Sequence, residues 1–271
     1  MELPTFRLNI WLDYYDEYNC GPPGEIYWQA RGVRRPYFGL FCIVYGLLII
    51  PPYIVCSMTL FASRSQSVSK IMLYLAGADI ADLLINSIAF GIMLIRGEVY
   101  CAHPRFQIVF SMAAEFFFLC STAACFLLAL NRFGDLLTIR PSVRIFHGTR
   151  SWLLLALCTL PVFMVVLFTP PFLFNSKHHM MFIDPMIYVD GRYLYSNIVH
   201  VACITITPAC SLVIYLTMLV GLLREYGYVH MMMSSSALNR ATFQIMVQSG
   251  IIILVHLTTC ISGTYQLKKM R

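Results

Sequence analysis

Six stretches of this chain are each long and apolar enough to cross a lipid bilayer: Phe38–Ala62, Ile71–Ile95, Phe106–Leu130, Trp152–Phe174, Tyr195–Leu223 and Ala241–Ile261. A spanning helix needs about 20 mostly apolar residues, and it satisfies its own backbone hydrogen bonds where no water is available. Barrel strands are shorter and alternate polar with apolar residues, which these runs do not. Composition has the same cause: of 271 residues, 59% are hydrophobic and 12% charged. Such a chain cannot furnish the polar shell of a soluble domain. The expectation is an all-α polytopic membrane helix bundle with six spans. Soluble enzyme, nucleic-acid-binding module and disordered scaffold are excluded as whole-chain readings.

The connections are short, so the chain divides into an outer amino-terminal segment (1–37), a bundle (38–262) and a short basic tail (263–271). The amino-terminal segment is polar and lacks a basic head followed by an apolar run, so the first span is expected to act as its own insertion signal. The net charge of +6 is scattered through loops rather than gathered in a patch, which suits membrane orientation and not nucleic acid. With the amino terminus outside, the inner loops carry Arg64, Lys70, Arg132, Arg140, Arg144, Arg150, Arg224 and Arg240. Arg31, Arg34, Arg35, Lys268, Lys269 and Arg271 weigh the other way, and charge alone comes close to a draw.

Cysteines favour the outside start. Eight of the ten lie inside expected spans, where a thiol is usually a small apolar filler. Cys20 and Cys101 fall in aqueous segments on the same side, which suggests a disulfide on an oxidising face; the alternative is two free thiols. No C-x-x-C or H-x-x-x-H spacing exists, so neither metal nor cofactor is expected.

An ionisable side chain inside a span is costly unless it faces a polar interior, so each is a candidate for function. Asp79, Asp82 and Asn86, at offsets of zero, three and seven, share one helical face. At about 1.5 Å per residue, Asp82 lies roughly 16 Å from the inner end of its helix and Glu115 roughly 14 Å from the outer end of the next. In a core about 30 Å thick these depths are similar. Structural hydrogen bonding, a shared proton and a bound monovalent cation are all open at this stage. Glu115, Phe116, Tyr195, His200 and His256 could line an outward-facing cavity for a small molecule. Each histidine could equally bond a nearby carbonyl and do nothing else. Asn131-Arg132 ends the third span with a cation at the interface, either a snorkelling anchor or a contact for a signalling partner.

Several segments together carry a family likeness. They are Tyr18-Asn19-Cys20, Arg35-Pro36-x-x-Gly39, Lys70-Ile71-Met72, Leu75-Ala76 before Asp79, Gly97-Glu98-Val99-Tyr100-Cys101 with Pro104, and Asn131-Arg132. In this order, over roughly residues 18 to 260, the chain resembles the nematode serpentine receptors of class T, seven-helix chemoreceptors. The resemblance implies a receptor for a small external chemical, in the plasma membrane of chemosensory neurons and coupled to a heterotrimeric G protein. It sets Asn131-Arg132 where rhodopsin-like receptors carry Asp-Arg-Tyr, and Asp79 at the second-helix position that binds sodium in many of them.

Three departures accompany it. Gly21 stands where members often have the Ser of a glycosylation sequon. No cysteine lies between Asn175 and Leu194, where rhodopsin-like receptors place one, and this favours the Cys20–Cys101 pairing. Six spans are expected where the family has seven. A six-span transporter or channel, or a non-signalling truncated receptor, is the alternative reading. An intramembrane enzyme is not expected, since neither Gly-x-Ser-Gly nor Gly-x-Gly-Asp occurs.

Overall fold

The computed structural model describes residues 8, 18–21, 25–136, 145–146, 148–187, 197–226, 250, 251, 254 and 258. A short helix α1 (Glu25–Arg31) precedes α2 (Pro36–Ala62) and α3 (Ser67–Arg96), the last containing a π segment at Leu84–Ala89. Then come α4 (Pro104–Leu136), α5 (Arg150–Phe168), a hairpin of β1 (Leu173–Asn175) and β2 (Met180–Phe182), and α6 (Ile198–Tyr226). Among the described residues five helices, α2 to α6, are long and apolar enough to span a membrane. The sixth expected span, Ala241–Ile261, lies almost entirely outside the described residues.

Boundaries follow local chemistry. α2 and α4 each begin with proline, whose missing N–H would be unpaired in a first turn anyway. α3 ends at Gly97, which adopts φ +75° while its N–H and that of Glu98 both reach Met93 O. α6 is capped by Asn197, whose Oδ1 accepts the N–H of His200 at 2.8 Å.

Three expectations are corrected. The fourth span stops at Phe168, not Phe174: the residue before a proline avoids the helical region, and Thr169-Pro170-Pro171 ends the helix. The apolar run beyond it pairs instead as a hairpin, Leu173 opposite Phe182 and Asn175 opposite Met180. Asn131 and Arg132 do not close the third span, because α4 runs on to Leu136. Lys70 is not a loop charge but part of the first turn of α3, buried, with Nζ donating to Gly148 O at 2.6 Å.

The chain folds as two compact units. The first holds Met1–Ala62, Ala76–Ser121 and Cys158–His200. It contains a small core of Tyr18, Trp28, Val99, Tyr100, Cys101, Ile108, Leu173 and Ile183. The disulfide Cys20–Cys101 runs through this core and ties segments 81 residues apart. Ser176 binds the hairpin down, its N–H donating to Glu98 O and its Oγ accepting from Val33 N–H. Where α2 meets α3 the helices touch through small residues: a Cβ on Gly39 would stand 2.5 Å from Gly91 O, and the reverse distance is the same. Close backbone approach of this kind is how membrane helices gain dispersion contact without a hydrophobic drive.

The second unit holds Ser63–Leu75, Thr122–Leu157 and Val201–Arg271. In it Ser67 and Ser151 both donate to Phe146 O, fixing the turn before α5 to the start of α3.

The spans differ in exposure. Over an apolar stretch of 18 residues in each, 11% of α2 is buried against 56% of α4, and α2 leaves Phe41, Leu48 and Met58 exposed.

Candidate functional site

Glu115 and His200 are both buried, and His200 Nδ1 meets Glu115 Oε1 at 2.5 Å. The contact links the middle of α4 to the first turn of α6. Their charges cancel when the proton sits on the imidazole, and the pair is neutral when it sits on the carboxyl, so either arrangement places no net charge in the bundle.

Local structure holds the imidazole in place. Asn197 caps the turn that carries it, and the same amide donates to Thr169 Oγ1 and Pro170 O, both at 2.9 Å. Phe172 packs on the ring with centroids 4.4 Å apart. The end of α5 therefore positions the start of α6. Phe116, next to Glu115, is half-buried and packs edge-on against Phe163, centroids 6.3 Å apart. Tyr195 and His256 lie outside the described residues.

The second-span stripe is arranged differently. Asn86 Nδ2 donates to Asp82 Oδ1 at 2.7 Å, while Asp79 Oδ1 accepts from Ser121 Oγ of α4 at 2.6 Å. All three side chains are half-buried. Asn86 sits in the π segment, where Ser87 Oγ also donates to Cys42 O at 2.5 Å. Glu115 is paired with His200, not with these carboxylates.

Toward the other end of α4, Asn131 is buried, and Arg132 has Asp135 and Tyr215 as its electrostatic neighbours. Neither Asn131 Oδ1 nor Arg132 Nε has a hydrogen-bond partner among the described residues.

Sequence reasoning missed Asn197, Phe172, Thr169 and Ser121, which orient the residues it named. An asparagine just ahead of an apolar run is a legible cap signal, but a span drawn from Tyr195 hides it. It also missed that Gln107 and Ser111 stand eight and four residues ahead of Glu115 on α4, both wholly buried.

A family model described as "Serpentine type 7TM GPCR chemoreceptor Srt" matches residues 6–269. The chain belongs to this family. It is also similar to "Serpentine receptor class T-55" of Caenorhabditis elegans, 27% identical over 269 residues, covering 97% of this chain and 72% of that protein. Membership makes the chain an integral membrane protein of a chemoreceptor family, and not of an enzyme family. Helices α2 to α6 are thus spans of a serpentine receptor, and the Glu115–His200 pair lies between two of them.

Proposed function

We propose that this chain is a chemosensory receptor of the plasma membrane of chemosensory neurons, which detects a small external chemical and signals through a heterotrimeric G protein. The observation that carries the reading is the buried Glu115–His200 contact. A polar link of this kind between two spans is expensive in a bilayer and marks functional interiors. A ligand that competes for either partner changes how α4 and α6 hold each other, which is the differential contact a receptor needs between its two states. The disulfide Cys20–Cys101 supports an outside amino-terminal segment, since such bonds persist on oxidising faces. Asn131 and Arg132 then belong to the inner end of α4, where they and the neighbouring loop face the G protein.

The test is a second-messenger reporter in cells expressing the chain with a promiscuous G protein, screened against small volatile and water-soluble chemicals. Arg132→Ala is expected to abolish the evoked signal while surface labelling of an amino-terminal tag stays at the wild-type level. A signal of normal strength in that variant removes Arg132 from the coupling role.

A further inference from the structure

Gln107, Ser111 and Glu115 recur every four residues on α4 and so share one face of it. Their exposures are 0%, 0% and 5%. Each keeps one oxygen without a hydrogen-bond partner among the described residues: Gln107 Oε1, Ser111 Oγ and Glu115 Oε2. In two of the three, the rest of the group is already engaged. Gln107 Nε2 donates to Met93 Sδ at 3.6 Å, and Glu115 Oε1 is held by His200. These contacts orient each side chain and leave an acceptor over. Protein interiors rarely leave such atoms unmet, and here three fall in a row.

We infer that this stripe is the recognition element of the ligand site, and that its ligand is a small hydrogen-bond donor, an alcohol or an amine. The inference rests on the receptor reading above and adds the chemical class. Successive positions lie about 6 Å apart along the helix axis, so one hydroxyl or amino group reaches one or two of the oxygens. No lysine or arginine stands between Arg105 and Arg132 on α4, so an anion finds no counter-charge on the stripe. A hydrocarbon leaves every acceptor unmet. A site built to bond a donor discriminates against the analogue that lacks it far more strongly than an apolar pocket discriminates by size. Internal water is the other source of donors for these oxygens, and the experiment separates the two.

The full chain, purified in lipid nanodiscs, is melted in the presence of hexanol, hexylamine, hexanoate or hexane, four probes of one length that differ in the head group. This reads binding without a G protein, so a failure of coupling does not obscure it. The expected result is a saturable rise in melting temperature with hexanol or hexylamine and none with hexanoate or hexane. Ser111→Ala and Gln107→Leu should each weaken that binding by about tenfold. Ser111→Ala should melt at the wild-type temperature without ligand, since it breaks no internal bond. Equal shifts from all four probes overturn the inference, as does a cooperative melting transition that no probe moves. Unchanged hexanol binding in Ser111→Ala and Gln107→Leu also overturns it, and leaves the oxygens to water. Selective binding without any cellular signal overturns the proposed coupling and leaves the donor class standing.

Discussion

At the scale of single residues, Asn197 has the widest effect for its size. Its amide makes three hydrogen bonds, two to Thr169 and Pro170 just past α5 and one to the first turn of α6. Removing a helix cap usually costs about 1 kcal/mol, and the two bonds to Thr169 and Pro170 are lost with it. Asn197→Ala is therefore expected to lower the melting temperature by several degrees. Because it frees the turn that carries His200, it should also weaken any ligand response by more than its loss of stability explains. Asn197→Asp, which keeps the cap oxygen but turns a buried carboxylate oxygen toward Pro170 O, should be no more stable than Asn197→Ala. Melting curves and dose–response curves on the same preparations check both points. The residue scale also shows how far sequence could reach. Glu115 and His200 are each conspicuous as ionisable groups in apolar runs, but they are 85 residues apart and nothing in helical periodicity pairs them. The Ser121 partner of Asp79 is equally invisible, because a serine in a membrane helix is unremarkable until its neighbour is known.

Among elements, the meeting of α2 and α3 makes the sharpest forecast. A methyl group on Gly91 would stand 2.5 Å from Gly39 O and 2.8 Å from Ile43 Cγ1, and the first of these is backbone that cannot swing aside. Gly91→Ala should cost about 1–3 kcal/mol, the usual range for overpacking. Gly77, on the same helix, has nothing within 4 Å of the place a methyl group would take, so Gly77→Ala should be neutral or slightly stabilising. Opposite signs for one substitution on one helix, read by thermal unfolding in detergent, would establish the close approach. Elements were legible wherever length and punctuation agree: five apolar runs became helices, and two of them start at proline. They were illegible where hydropathy continues past a change of structure. Phe172-Leu173-Phe174 is as apolar as the helix before it, yet Pro170-Pro171 has already ended that helix and the run turns into a strand. The π segment of α3 leaves no compositional mark either.

For the whole molecule, topology and redox state are linked through Cys20–Cys101. A bond closing a loop of 81 residues should contribute roughly 2–4 kcal/mol. Reductant is expected to lower the melting temperature of the wild-type chain and to leave that of Cys20→Ser unchanged. Equal sensitivity of the two would mean that the bond does not form in the cell. Membership of the receptor family was legible at this scale because the segments that carry it are punctuated by cysteine, glycine, proline and arginine, which stand out among interchangeable apolar residues. Which side chains meet inside the bundle was not legible, since apolar packing leaves no pattern along the chain.

The amide of Asn197 has one more consequence, best put in mechanical terms. It works as a rivet: Thr169 and Pro170, just past the end of α5, and the leading turn of α6 are fastened through a single side chain. Thr169, Pro170 and the turn that carries His200 are therefore expected to shift together when any one of them is displaced. The Glu115–His200 contact is the latch that fastens this riveted corner to α4.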